Sequence, residues 1–212
     1  MSSLLIALIF LLPQQRVSAT DLIARVSETY GRMRGFSAEF VQISQDFSNQ
    51  TIQERGHVYL KSPRKGLFEY VAPKKESHYL DGKTFIRFIP QPINQAWQMP
   101  ISRLDSERSI VLQIVGNRES PWNDQFEEFR EGQDKPFRPG NRVVRMLPRN
   151  KDLKEVRVEV DPTNYWIYSV AFTYASGVGS EFRFSNISTA ALPDSLFEFK
   201  LPAGAVIVKV KE

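Results

Sequence analysis

The sequence that decides the fold runs from Gly56 to Phe88 and reads GHVYLKSPRKGLFEYVAPKKESHYLDGKTFIRF. In its first run Val58 and Leu60 share one face of a predicted strand, and the residues between them share the other. Pro63 ends this strand, because proline has no N–H to donate to a sheet. After a second extended run, Asp81-Gly82 provides the positive φ that a tight hairpin needs. The stretch therefore predicts antiparallel strands joined by short turns.

Two helices are predicted outside this stretch. The first begins at Thr20-Asp21, carries apolar residues at helical spacing and ends at Gly35. Its apolar stripe is Leu22, Val26, Tyr30 and Met33. The second covers Leu104 to Val115. Residues 123–131 fit either a helix or a strand.

The remaining elements are predicted strands separated by proline, asparagine and glycine turns. They are Thr84 to Ile89, Asn94 to Met99, Arg142 to Leu147, Leu153 to Val160, Tyr165 to Tyr174 and Glu181 to Asn186. Many strands with two helices indicate a mainly β fold with α, in which a curved antiparallel sheet is covered by helices on one side. Residues 20–212 contain no linker or repeat, so they are predicted to form a single domain.

The N-terminus predicts export. Leu4 to Leu12 is an unbroken apolar run, far shorter than the roughly 20 residues that span a bilayer. Pro13 and the small-residue site Val17-Ser18-Ala19 follow it, as in a cleaved signal peptide, which we assign to residues 1–19. The chain has no cysteine and therefore no lipid-anchor site or disulfide. We expect a periplasmic protein.

Catalytic, metal and nucleic-acid chemistry are not indicated. Imidazole is available only at His57 and His78, and zinc sites usually need three or four ligands at recognisable spacing. His57 is expected to face solvent, and His78 is expected to be a surface or hairpin residue. No nucleophile elbow or phosphate loop is present, so we predict a non-enzymatic protein without cofactor or metal. The net charge of +4 is scattered along the chain, which argues against a nucleic-acid partner.

The chain is rich in aromatic side chains, with 15 Phe, 7 Tyr and 3 Trp. Alternation places one set on a single face of one strand: Trp166, Tyr168, Val170, Phe172 and Tyr174. On composition alone, a filled core and a cavity for a long apolar ligand explain these residues equally well. An acyl-chain carrier would need such a cavity, since exposing roughly 16 carbons to water costs on the order of 12 kcal/mol.

The order of motifs resembles that of the LolA-type periplasmic lipoprotein carriers. The matching motifs are Tyr-x-x-Met-x-Gly-Phe-Ser-Ala-Glu-Phe-x-Gln at 30–42, Gly-x-Val-Tyr-Leu-Lys at 56–61, Pro63, Glu-Tyr-x-x-Pro at 69–73, Asp-Gly-Lys at 81–83, Leu-Pro at 147–148, Val-x-Val-Asp at 158–161, Phe-Arg-Phe-Ser-Asn at 182–186, Asp-Ser-Leu-Phe-x-Phe at 194–199 and Leu-Pro-Ala-Gly at 201–204. They extend over nearly the whole chain after residue 19.

The resemblance implies an unclosed antiparallel β-barrel, covered by lid helices, that holds the acyl chains of outer-membrane lipoproteins. The implied partners are lipoproteins, an inner-membrane ABC transporter that loads the carrier and an outer-membrane acceptor, with the carrier itself a monomer. Phe68 occupies the position of a cavity tryptophan in the family, and Leu112 and Ile114 belong to the lid. The residues expected to line the cavity and lid are Phe40, Val58, Leu60, Phe68, Tyr70, Phe88, Leu112, Ile114, Trp166 and Phe172.

One position departs from the family pattern. The family commonly has arginine immediately before the turn proline, where it holds the lid closed. This chain has Ser62 there and an arginine after the proline, Arg64. A hydroxyl cannot supply the five donors of a guanidinium. Arg64 is therefore a candidate for the latch, and a lid held in another way is the alternative.

Three interpretations remain open from the sequence. The first is a periplasmic lipoprotein carrier. The second is a LolA-like module that binds another lipid or glycolipid, or that senses mislocalised lipoproteins. The third is an exported β protein with a filled core.

Overall fold

A 12-stranded sheet organises the part of the chain that the computed structural model describes, residues 17–45, 48, 50–62, 64–103, 111 and 124–210. One helix precedes the sheet, α1 (Ala19–Arg32). The first six strands are β1 (Phe36–Gln45), β2 (Thr51–Lys61), β3 (Lys65–Ala72), β4 (Glu76–Asp81), β5 (Thr84–Ile89) and β6 (Gln95–Pro100). The last six are β7 (Phe126–Glu131), β8 (Arg142–Pro148), β9 (Leu153–Val160), β10 (Ile167–Tyr174), β11 (Gly179–Ser188) and β12 (Val206–Lys209). Short 3₁₀ turns lie at Ile101–Arg103 and Asp194–Phe197.

The strand order is β12-β6-β5-β4-β3-β2-β1-β11-β10-β9-β8-β7. All neighbours are antiparallel except β12 and β6, which run parallel. The pairing of β1 with β11 joins the two halves of the chain at the middle of the sheet. The sheet is open and strongly curved, so the predicted fold class is confirmed.

The inner face of the sheet forms the main core together with α1. Leu22, Val26 and Tyr30 of α1 are buried in the same cluster as the inward side chains of the strands, which confirms the predicted stripe. The Tyr30 hydroxyl accepts a hydrogen bond from the Ile167 backbone N–H at 2.9 Å, and burial raises the pKa of Tyr30. The N-cap of the helix is Ser18, whose hydroxyl oxygen accepts from the Asp21 N–H. One side of α1 is thereby fixed against the sheet.

The predicted hairpin at Asp81-Gly82 is present and joins β4 to β5. Gly82 has a φ of 96°, in the region that glycine adopts without strain. The Asp81 carboxylate accepts hydrogen bonds from the Lys83 and Thr84 N–H groups at 2.8 and 2.7 Å. Burial raises the pKa of Asp81, but these hydrogen bonds outweigh it, and the pKa lies below its usual value. The turn residues therefore fix this hairpin locally.

The outer face of the sheet is covered in two places. A C-terminal segment crosses β3 and β4, where Phe197 and Leu67 are both 2% exposed. The Phe199 ring lies 5.2 Å from Tyr79 and 5.6 Å from Phe88. Residues 133–141 cover β8 to β10, held by the Glu159 carboxylate, which is 2% exposed. The outward side of β9, which carries Arg157 and Glu159, is therefore partly buried.

A bulge in β10 corrects the predicted alternation of that strand. Ile167 pairs with Val160, but Ser169 pairs with the adjacent Glu159, so β10 contains one extra residue at this point. The bulge puts Ile167 on the inner face, and the Tyr168 ring lies under the Arg138 guanidinium at 4.0 Å. Val170 and Phe172 point inward as predicted.

Some predictions fall on residues outside the described part of the chain. These are the apolar run of the signal peptide and most of the second helix, including Leu112 and Ile114. Val111, from the same predicted helix, is 1% exposed and packs in the main core.

Candidate functional site

Aromatic rings from both halves of the sheet meet on the inner face. The Phe40 ring lies 6.2 Å from Phe68, 5.1 Å from Tyr70 and 5.7 Å from Phe182. The Phe182 ring in turn lies 6.4 Å from Phe172 at 90°. These distances and tilts are typical of favourable edge-to-face packing. We call Phe40, Phe68, Tyr70, Phe172 and Phe182 the aromatic cluster.

Gly56 allows β2 and β3 to approach each other beside the aromatic cluster. A Cβ at this position would lie 2.0 Å from the Glu69 carbonyl oxygen and 2.9 Å from Cε1 of Phe40. Both distances are far inside van der Waals contact, so only glycine fits. The Gly-x-Val-Tyr-Leu-Lys motif thus begins at a residue required by packing.

The structure brings together most of the described residues predicted for the cavity. Six of them are at most 3% exposed and belong to the inner core: Phe40, Val58, Leu60, Phe68, Tyr70 and Phe172. The alternation of β2 is confirmed, since Val58 and Leu60 point inward and His57, Tyr59 and Lys61 outward.

Two predicted cavity positions were wrong. Phe88 lies on the outer face against Phe199, because strand alternation puts Phe85 inside and therefore Phe88, three residues later, outside. Trp166 precedes β10 and is only partly buried, because the bulge gives the inward position to Ile167. Sequence reasoning had missed Phe85 and Phe182, although simple alternation along β5 and β11 could have identified both.

A line of polar side chains borders the aromatic cluster. The Tyr70 hydroxyl donates to Oε1 of Gln42 at 2.8 Å. The Gln42 amide nitrogen donates to the hydroxyl oxygens of Ser44 and Ser180 at 3.4 and 3.3 Å. The two hydroxyl oxygens lie 3.3 Å apart. Gln42 and Ser180 are each 6% exposed, so this network lies inside the fold.

The polar line continues into charged residues on β4 and β5. His78 Nε2 lies 2.7 Å from Oε1 of Glu76, and the Arg87 guanidinium donates to Oε2 of Glu76 at 2.6 and 3.1 Å. Burial raises the pKa of Glu76, but the hydrogen bonds and charges of its two partners outweigh this and lower the pKa to about 2. Glu76 is therefore a carboxylate at any pH near neutrality.

His78 lies in a strand of two hairpins, as one of its two predicted positions allowed, but the prediction of a surface position was wrong. His78 is 1% exposed and its ring lies 5.1 Å from Tyr70 and 5.4 Å from Phe85. Pairing with Phe68 and Arg87 places it on the inner face, and this register is not visible in the local sequence. We use the term polar band for Gln42, Ser44, Tyr70, Glu76, His78, Arg87 and Ser180.

The candidate latch residue lies at the turn between β2 and β3. Arg64 is exposed and has a φ of 53°, and no described residue is its hydrogen-bond or ion-pair partner. The predicted lid lies outside the described residues except for Val111. The latch assignment therefore stays a prediction.

Two surface cavities with described linings lie elsewhere, around β7 to β9 and the segment 132–141. Their volumes are about 400 and 530 Å³, and charged residues such as Arg130, Glu131 and Arg142 line them. Such linings do not suit an acyl chain. No group of His, Asp and Glu in the described ranges could hold a metal ion, and no helix in those ranges is long and apolar enough to cross a membrane.

Comparison with known proteins finds a family model and relatives that share one description. A family model described as outer membrane lipoprotein carrier protein LolA matches residues 31–200. The chain is 24% identical over 184 residues to an outer-membrane lipoprotein carrier protein of Glaesserella parasuis serovar 5, covering 86% of this chain and 83% of that protein. It is 23% identical over 209 residues to the protein of the same description from Haemophilus influenzae, covering 97% and 96%.

Solved structures with a similar fold include an uncharacterized conserved protein from Thermus thermophilus and MucB. The first has a TM-score of 0.59 at 12% identity and covers 91% of this chain and 99% of its own. MucB has a TM-score of 0.51 at 13% identity and covers 86% of this chain and 62% of its own. At such identities the likeness shows a shared fold and nothing more.

Proposed function

Because the chain belongs to the LolA family of outer membrane lipoprotein carrier proteins, we propose that it binds the acyl chains of lipoproteins at the inner face of its sheet and carries them across the periplasm. In this role it is a non-enzymatic, monomeric chaperone. It receives lipoproteins from an inner-membrane ABC transporter and delivers them to an outer-membrane acceptor. Residues 1–19 are its signal peptide, and cleavage after Ala19 removes the N-cap Ser18 and leaves Asp21 to stabilise the start of α1.

The observation that carries this proposal is the aromatic cluster, in a sheet that is open at both edges. Rings and aliphatic side chains from β1, β2, β3, β10 and β11 form one continuous buried apolar cluster with α1 and Val111. Contacts of this kind are non-directional, so they can accept acyl chains of different length. Burial of a chain of roughly 16 carbons recovers on the order of 12 kcal/mol, enough to hold a lipoprotein in water.

A tryptophan reporter tests whether an acyl chain reaches the aromatic cluster. In a background with the three native tryptophans changed to phenylalanine, Phe68→Trp places one indole at a position that is 0% exposed. A synthetic triacylated lipopeptide with dibrominated acyl chains should quench this fluorescence saturably, since bromine quenches only near contact. Phe68→Trp is a modest enlargement, with an overpacking cost of about 1–3 kcal/mol.

Val71→Trp is the matched control, because Val71 lies on the same strand and is 47% exposed on the outer face. Quenching at position 68 but not at 71 is the expected result. If both positions or neither are quenched, the inner face does not take the acyl chain. Mass spectrometry of lipids that co-purify from the periplasm then identifies the cargo: free phospholipid without lipoprotein contradicts lipoprotein carriage.

The latch requires a separate measurement. We propose that Arg64 closes the lid in place of the arginine that the family has at the position of Ser62. Arg64→Leu should then change the rate at which a loaded carrier transfers lipoprotein to outer-membrane vesicles, while the quenching at position 68 persists. An unchanged transfer rate contradicts the latch and leaves the carrier function standing.

A further inference from the structure

The polar band lies where the inner face changes from buried to accessible. Along β1, inward residues progress from Phe40, which is 2% exposed, through Gln42 at 6% to the partly buried Ser44, and Gln45 at the strand end is exposed. Arg87, at the other end of the band, is also partly accessible. A ligand whose apolar part contacts the aromatic cluster would therefore place its next atoms against the polar band on the way to solvent.

One of the two serine hydroxyl protons has no acceptor among the described residues. The Gln42 amide nitrogen donates to both hydroxyl oxygens, and one hydroxyl donates to the other across 3.3 Å. The second hydroxyl proton has no acceptor within the part of the chain that the structure describes. An unused donor at a residue as buried as Ser180 carries a desolvation cost unless a ligand atom accepts from it.

The charged part of the band does not oppose a neutral polar ligand. The Glu76 carboxylate is already engaged by His78 and Arg87, so its charge is compensated within the band. The Tyr70 hydroxyl is engaged with Gln42. The available chemistry is therefore one neutral hydroxyl donor beside an aromatic surface, which matches a carbonyl oxygen attached to a hydrocarbon chain.

We propose that the polar band is the binding site for the ester carbonyls of an acylated ligand, with the free hydroxyl proton of the Ser44–Ser180 pair donated to one carbonyl oxygen. This inference rests on the proposed function, because it assumes that the acyl chains lie on the aromatic cluster. It adds an orientation: the glyceryl end of the ligand faces the strand ends near Gln45, and the chain ends point along the sheet toward Leu60 and α1.

The test compares two synthetic lipopeptides of equal chain length, one with two ester-linked palmitoyl chains and one with two ether-linked hexadecyl chains. Only the ester ligand has carbonyl oxygens where its two chains join the glyceryl group, whereas the peptide carbonyls are common to both ligands. We expect the wild-type protein to bind the ester ligand roughly three- to tenfold more tightly, the effect of one hydrogen bond. Affinities are measured by fluorescence anisotropy of a label on the peptide.

The proton count predicts that the two serine substitutions have non-additive effects on the preference for the ester ligand. Ser44→Ala and Ser180→Ala each leave one hydroxyl whose proton is free, so each single variant keeps the preference for the ester. The double variant has no free hydroxyl proton and should bind ester and ether equally. Ser37→Ala/Ser185→Ala, on the outer face of the same two strands, is the matched control and should keep the preference.

The outcomes separate this inference from the function on which it rests. Binding of neither ligand by the wild-type protein overturns both. Equal binding of the two ligands by the wild type, or an ester preference that survives in the double variant, overturns the polar-band site alone. Thermal unfolding of each variant shows whether the fold is intact. If the double variant binds the ether ligand as tightly as the wild type does, the aromatic cluster is also intact.

Discussion

Gly56→Ala tests whether the close approach of β2 and β3 holds the inner face together. The added methyl carbon would lie 2.0 Å from the Glu69 carbonyl oxygen, so the two strands would have to separate by more than about 1 Å. Overpacking of this kind costs about 1–3 kcal/mol, and a weakened ladder hydrogen bond adds about 1 kcal/mol. We expect the free energy of unfolding to fall by about 3 kcal/mol. For a chain of this size that lowers Tm by about 6–12 °C.

The assay is urea unfolding followed by circular dichroism, with Gly31→Ala as the control. Gly31 lies in the last turn of α1, and a Cβ there would meet nothing within 4 Å. Alanine is a better helix former than glycine, so this variant should gain about 0.5–1 kcal/mol. A loss below about 1 kcal/mol for Gly56→Ala, or equal effects in the two variants, would refute the packing argument.

The remaining predictions concern polar contacts that hold the covering segments and the polar band. Glu76 has a folded pKa of about 2 against an ordinary value of 4.5, so its contribution of about 3 kcal/mol is complete above pH 4.5 and is lost as the pH falls to about 2. Urea titrations should show this acid dependence flattened in Glu76→Gln. Glu159→Ala removes the acceptor of two backbone N–H groups and one side-chain amide, so hydrogen exchange should accelerate in segment 133–141 and not in β1. Lys61→Met removes the donor to the Leu192 carbonyl at 2.7 Å, so limited proteolysis should cleave segment 189–205 faster while the core strands persist.

Local patterns predicted the strands whose two faces differ. Val156, Val158 and Val160 alternate with charged residues, and all three are 0% exposed in the structure. The Asp81-Gly82 turn likewise forms from interactions within four residues. In such cases the information that determines the structure lies inside the segment itself.

Features that depend on pairing between distant segments could not be predicted. The bulge at Ile167 follows from how β10 meets β9, and it moved Trp166 and Tyr168 out of the inward positions that simple alternation assigns. His78 looks like a surface residue in its own sequence, but its partners Phe68 and Arg87 hold it inside. The parallel pairing of β12 with β6 joins segments that are far apart in the sequence, and no local pattern indicates it.

Strand β3 is buried on both faces at Leu67 and Phe68, and this affects how its register is specified there. In most sheets a slip by one residue is costly because it exchanges an apolar face for a polar one. Here a slip would exchange Leu67 for Phe68, and both positions are apolar and at most 2% exposed. At these two positions hydrophobicity alone therefore discriminates poorly between the two alignments, and among burial effects only the exchange of Glu69 for Tyr70 further along the strand opposes the slip. The required fit of Gly56 against the Glu69 carbonyl supplies the discrimination, because any other residue of β2 at that point would bring a Cβ into the neighbouring backbone.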